Sequence, residues 1–424
     1  MQNTFLLNNV QIIHGPNSPS VVDAVLVVNN KIKDFGTGAR SQGRKLGLKP
    51  LDTPKCVFGP CLVDPHSVLE EPLISKTETI KSLRQKAVRS GYGQIGLLPR
   101  SKSFRDKPEA LMGFKSKESD VKIHLWAGFT IGGKGEKFSS HKKLIGSGAI
   151  GLTDKEFIIP IDLIKKALLT GEINKVPFLI APRDKSLSAN GIVRESVEAL
   201  RAGWYTDSTA SETIPLGQLL ELSKQHKDFL LVLMNVSTDQ GVLMIREANS
   251  RPRSSVNWWH LLSDSSKLFT NQFEWSVIPS IGRPKDRESL KNALLENILT
   301  GIAVNSFPMN EEESLLPLEQ RLPGLSGHEF VLPKLWEELI VNSNWSIEDL
   351  WRVLSFGPSK LINSKEESLE LESNRWLLFD PEKQWLNKTE IINYPYCFNQ
   401  PFNGELIQGK VIKCGLRVDF SETI

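Results

Sequence analysis

The stretch GPCLVDPHSVLEEP, residues 59–72, decides how this chain reads. It holds a short apolar run, then Asp64, then His66, then a proline stop at Pro72. That is the outline of a metal-binding signature at a strand end, where imidazole and carboxylate converge on one ion. Such a signature carries a second histidine two residues after the first. Here that position is Val68.

Outward from this stretch, short apolar runs alternate with helical ones. After CLVD come TETIKSLRQKAVRSG and QIGLLP, then VKIHLWAG, GAIGLTD, IPIDLIKKALLTG, VPFLIAP, FLLVLMN and IAVNS. Repeated strand–helix alternation marks a parallel sheet with helices outside it. About seven or eight such units fit an α/β fold of the (β/α)8 TIM-barrel type, whose chemistry sits at the C-terminal strand ends. Both ends of the chain read differently. TFLLNNVQII and DAVLVVNNKIKDFG near the start, and RWLLFDP and GELIQGKVIKCGLRVDF near the end, are β-branched runs broken by Asn and Gly. We therefore expect residues 1–58 and 375–424 to form one small β-sandwich domain, with the barrel spanning 59–374. The charged stretch KEESLELESN, 365–374, reads as a surface connection.

Bulk properties narrow the partners. The 424 residues are 40% hydrophobic and 24% charged, ordinary for a globular chain, and the formal net charge is only +3. Lys and Arg are dispersed rather than striped, so nucleic acid is not expected. No apolar run is long enough to span a membrane, and the first residues lack a secretion signal. Cys56, Cys61, Cys397 and Cys414 match no zinc spacing and read as small buried side chains. The expected setting is reducing and cytoplasmic.

The ordered words of the chain resemble the dihydroorotase family of the amidohydrolase superfamily. Residues 59–72 are similar to that family's first-strand motif, Asp-x-His-x-His-x-Arg-x-Pro. GAIGLTD resembles the fourth-strand word that ends in acidic residues. DKSLSANGIVRES resembles the segment after His-x-Glu-Asp, and NVSTDQGVLMIREA the His-x-Ser-Thr stretch. WWHLLSD resembles Pro-His-His-Leu, IPSIGRPKDRESL resembles Asn-Pro-Pro-Leu-Arg, GIAVNSFPM resembles Ala-Thr-Asp-His-Ala-Pro, and CFNQPFNGELIQGKV the closing Asn-x-Pro-Phe-x-Gly. The resemblance implies interconversion of N-carbamoyl-aspartate and dihydroorotate in pyrimidine synthesis. It also implies a zinc-activated water and an Asp that shuttles its proton.

Laid on that pattern, the ligand set is broken. His66 keeps the first ligand, and Asp154 stands where the bridging acid falls, with Lys155 beside it. The other ligand positions hold Val68, Ala181 and Asn235. The proton-shuttle position is Asn305, whose amide cannot act as a base. The substrate side is changed too: Glu70 replaces the Arg that meets a carboxylate, Arg100 replaces an Asn, and Ile278 replaces another. Two remaining ligands fall short of the three that a catalytic zinc needs. No cofactor is therefore expected, and Glu70, Arg100, Arg183 and His260 are the pocket candidates. We expect Glu70 and Arg100 to face each other.

The plainer readings sit beside these. His66 without partners is a hydrogen-bonded barrel-mouth histidine. Asp154 is a salt-bridged or capping carboxylate, and Trp258 and Trp259 before His260 are core aromatics. His14, His124, His141, His226 and His328 are structural or exposed. GGKGEK, 132–137, lacks phosphate-loop spacing and reads as a mobile surface loop. Three functions follow. The first is a non-catalytic member that serves as a structural partner of aspartate carbamoyltransferase, or of further copies of itself, as the resemblance implies. The second is an active cyclic amidohydrolase. The third is an anion-binding sensor using Arg100, Arg183 and Lys155.

Overall fold

A computed structural model describes residues 4–112, 114, 120–267, 276–317, 320–388 and 395–417. The last word expected as a strand runs to 420, and its final three residues lie outside the described ones.

Eight parallel strands form the central sheet: Leu62–Ser67, Tyr92–Leu97, Lys122–Gly128, Gly151–Thr153, Pro177–Ile180, Leu230–Leu233, Arg253–Asn257 and Gly301–Ala303. They pair in chain order, first with second and so on to the eighth. This is the (β/α)8 architecture expected from the alternation. The strands are short and almost wholly buried, as parallel strands under a helical coat must be. Between them, helices such as Ile80–Ser90 and Pro284–Leu295 turn their apolar sides inward. The first of these starts on a Thr79 capping box and stops at Gly91, whose φ of 82° suits glycine.

The ring closes between the first and eighth strands through side chains. The Val304 amide donates to Asp64 Oδ1 (3.0 Å), and the Ser306 amide donates to Ser67 Oγ (2.8 Å). The Val68 amide then donates to the Ser306 carbonyl (2.8 Å). Asp64 thus replaces the carbonyl that a continuous ladder would supply.

The two termini meet, as expected, in one β domain. Its strands hydrogen-bond into a single seven-stranded sheet, in the order Leu406–Cys414, Trp376–Leu386, Val57–Pro60, Phe5–Ile12, Val21–Val28, Lys31–Phe35, with Leu51–Asp52 added beside Phe5–Ile12. Alternating residues fill both faces. Phe5, Leu7, Val25 and Val27 join Phe58 and Trp376 in one cluster; Leu6, Ala24 and Leu26 pack with Ala39 of the helix Gly36–Lys45 in another. Val57–Pro60 carries the chain from this sheet into the first barrel strand. All four cysteines are free. No helix among the described residues is long and apolar enough to cross a membrane.

Candidate functional site

The site is the mouth of the barrel, where the first strand delivers His66. The imidazole is buried and both of its nitrogens are engaged. Nδ1 lies 3.1 Å from Asn305 Oδ1, and Nε2 lies 2.8 Å from Ser255 Oγ. The Asn305 oxygen only accepts, so Nδ1 carries the proton and Nε2 holds the lone pair. Ser255 donates to that lone pair while its oxygen accepts from the Asn235 amide (3.0 Å). The one electron pair that could bind a metal is therefore occupied. Burial, opposed by Asp64, pulls the imidazole down to about 4, so it is neutral at ordinary pH.

Asn235 and Asn305 both sit in the left-handed region, with φ of 55° and 48°. That conformation tolerates Asn, Asp and His better than most residues. These two strand-end bends keep a residue that fits the backbone but offers neither the imidazole nor the carboxylate that zinc prefers and cannot take a proton.

Val68 and Ala181 lie together in one apolar cluster with Leu98, Trp126, Met234 and Phe307. Where a second and third imidazole would converge, the chain has packed core. Asp154 is turned elsewhere: one oxygen accepts from the Thr130 amide (2.9 Å) and the other from its hydroxyl (2.6 Å). Lys155 is exposed, and its charge acts on Asp154 more weakly than burial or the hydrogen bonds do. Among the described residues, no three His, Cys, Asp or Glu side chains converge on a point that a metal could share. The residues present do not fit a zinc centre.

Burial pushes the Asp154 carboxyl up to about 6, against the Thr130 hydrogen bonds. The folded chain then holds this proton up to about pH 6, while an unfolded Asp releases it near 3.8. The folded state binds more protons in that window, so its stability falls as pH rises through it, by up to about 3 kcal/mol. Asp154→Asn should flatten the pH dependence of thermal unfolding between pH 4 and 6. Parallel curves for variant and wild type would show that another group carries it.

Glu70 and Arg100 face each other, with Arg100 Nε 3.8 Å from Glu70 Oε1. The stronger partner of Arg100 is Glu156, which sequence reading passed over although it follows Asp154 by two residues. The Arg100 guanidinium also lies over the Phe307 ring at 4.3 Å. Burial raises the Glu70 carboxyl, with Arg100 opposing and Glu313, Glu71 and Glu156 reinforcing.

Arg183 belongs to a buried ionic network invisible in the sequence. Its Nη2 reaches Asp207 (3.1 Å) and Ser280 (3.2 Å). The other Asp207 oxygen meets Arg194 (3.1 Å), which also lies 3.6 Å from Glu212. Glu212 in turn accepts from the amides and hydroxyls of Ser237 and Thr238. Burial pulls Arg183 down to about 10, with Asp207 opposing. The cleft between Arg183, Arg194, Ala181, Asn235 and Ile278 has a volume of about 10 Å³, the room of about one water. Two guanidinium groups and the carboxylates of Glu156 and Glu212 line it, so its charges are already balanced against each other.

The remaining candidates are placed plainly. His260 is buried beside Trp259, and burial lowers it to about 4. Asp184 caps the turn Lys185–Ser188 by accepting from the Ser186 and Leu187 amides. His328 is bonded to Asp64 (2.9 Å) and His141 to the Phe129 carbonyl (2.8 Å), both inside the core. In the stretch 132–137, Gly132, Gly133 and Gly135 adopt positive φ, and the Gly132 amide donates to Asp106 (2.7 Å).

No family model matches the chain. It is similar to a probable dihydroorotase-like protein of Synechocystis sp., 28% identical over 391 residues, covering 84% of this chain and 87% of that one. A dihydroorotase of Elusimicrobium minutum is 23% identical over 417 residues, covering 96% and 95%. Among solved structures, the L-hydantoinase (dihydropyrimidinase) of Arthrobacter aurescens superimposes with a TM-score of 0.75 at 14% identity, covering 97% of this chain and 94% of that one. A D-hydantoinase reaches 0.74 at 17% identity, with the same coverage. The fold is that of these solved structures, and the sequence is similar to dihydroorotase-like proteins over 84–96% of its length.

Proposed function

We propose that this dihydroorotase-like chain is a non-catalytic member of its group, tied to de novo pyrimidine synthesis as a structural partner of aspartate carbamoyltransferase. The observation that carries the non-catalytic reading is His66. Its metal-binding lone pair accepts from Ser255, and Val68, Ala181 and Asn305 leave nothing beside it to complete a site. Fold likeness to hydrolases does not oppose this, because chemistry lives in the site and not the barrel. The partner rests on the resemblance alone, since a barrel stripped of its chemistry keeps its outer surfaces. The four free cysteines support a reducing, cytoplasmic setting.

An anion sensor at this mouth is less well supported. A cleft of about 10 Å³ cannot admit carbamoyl-aspartate, and Arg100 and Arg183 are already paired.

Metal content and dihydroorotate hydrolysis should be measured on one preparation purified without chelators. We expect substoichiometric zinc and turnover no faster than a buffer blank. Stoichiometric zinc with turnover abolished by His66→Ala would overturn the non-catalytic reading. Size-exclusion of the chain mixed with aspartate carbamoyltransferase tests the partnership separately: co-elution is expected, and independent elution would sink it.

A further inference from the structure

Arg105 follows the second barrel strand and is held firmly in place. Its amide donates to the Pro99 carbonyl (3.2 Å), and its carbonyl accepts from the Gly128 amide (2.7 Å). The residue is 1% exposed. Yet its Nε and Nη2 have no hydrogen-bond partner, and no carboxylate among the described residues pairs with it. The contrast with the other buried arginines is sharp. Arg183 and Arg194 share Asp207, and Arg375 meets Glu367. Burial alone pulls the Arg105 guanidinium down to about 10, with no acid opposing it. A buried charge without a counter-charge is costly, so an incoming anion has much to gain there.

Arg105 lines a cleft of about 470 Å³ together with Pro72, Leu73, Ile74, Ala110 and Phe114. That size suits a small organic ligand. The walls are mainly apolar, and Leu73 and Ile74 stand at its edge 66% and 85% exposed. The Phe114 ring lies 6.0 Å from the Arg105 guanidinium carbon. The acids at the rim already have partners: Glu71 pairs with Lys102 (2.9 Å) and Glu70 with Arg100 (3.8 Å).

We infer that this cleft, beside the lost metal centre and separate from it, binds a monocarboxylate carried on an apolar chain or ring. The enclosed Nε and Nη2 hydrogens form the parallel fork that matches a carboxylate's two oxygens, and a small shift of the side chain toward the cleft would present them. Leu73, Ile74 and Phe114 cover the apolar body. A second negative charge on the ligand would face Glu70 and Glu71, so a dicarboxylate or a phosphate dianion fits less well.

Hexanoate is the probe, with 1-hexanol and succinate as controls, each followed by thermal shift and calorimetry on the full chain. Hexanoate should raise the melting temperature, and the controls should not. Arg105→Met should weaken hexanoate binding by about tenfold or more, the loss of one bidentate ionic contact. Without ligand that variant should melt no lower than wild type, since it removes an uncompensated charge. Ile74→Asp, at an exposed position that folding does not need, should also weaken hexanoate. The inference is overturned if hexanoate gives no shift up to about 10 mM, the weak end of specific binding. It is equally overturned if hexanoate shifts Arg105→Met as it does wild type, if Ile74→Asp leaves binding unchanged, or if succinate or 1-hexanol matches hexanoate.

Discussion

Asp64→Ala should destabilise the chain by about 3–5 kcal/mol, because it strands several buried donors at once. Asp64 is fully buried and accepts from the Val304 amide (3.0 Å), the Ser67 hydroxyl (2.5 Å) and the His328 ring (2.9 Å). Each donor left unpaired in the core costs about 1–3 kcal/mol. The Val304 bond also joins the eighth strand to the first, so its loss weakens the seam that closes the barrel. Urea unfolding of wild type, Asp64→Ala and Ser67→Ala would test this. The Ser67 variant should lose less, since Asp64 keeps its other donors. A loss below about 1 kcal/mol for Asp64→Ala, the worth of one ordinary hydrogen bond, would mean that the seam is held otherwise.

Arg194→Met should cost about 3–5 kcal/mol, the penalty for removing one partner of a buried ionic network. The guanidinium is 1% exposed and bonds to Asp207, the Ser208 carbonyl, Ser211 and Ser237. Without it, Asp207 keeps Arg183, Ser211 and Ser280, while Glu212 keeps only neutral donors. The same measurement on Glu212→Gln separates the two carboxylates. A neutral effect of Arg194→Met would show that packing, not charge pairing, holds this end of the barrel.

Much of the fold was legible because hydrophobic periodicity is local. Apolar runs of four to six residues between helical stretches can only be buried parallel strands at this regular spacing. The β-rich ends and their union in one domain were legible for the same reason, but the order of the strands in one seven-stranded sheet was not, since pairing across more than 300 residues leaves no local mark. The damage to the ligand set could also be read, because a ligand is a residue type at a position. Val68 has no donor atom for zinc, and the Asn305 amide cannot take up a proton in any conformation.

The rest needed coordinates. Ser255 lies far along the chain from His66, and nothing around it announces that its hydroxyl fills the imidazole lone pair. Glu156, at the end of the fourth strand, lies closer to Arg100 than Glu70 does at the end of the first. Arg194 and Glu212 sit in ordinary surroundings, and only burial turns them into a network. Arg105 reads as one more surface cation until the fold encloses it without a partner.

The sequence by itself determined the barrel, its composite β domain and the absence of a complete zinc ligand set. These follow from periodicity and from what each side chain can chemically do. Only the tertiary structure decided what stands at the expected ligand positions: a neutral His66 locked between Asn305 and Ser255, an apolar plug, and a paired ionic network beside them. It also placed an open cleft of about 470 Å³ beside that site, over Arg105. The physical reason is that hydrogen-bond partners, burial and cavity volume belong to residues brought together from distant parts of the chain, and no local pattern encodes them.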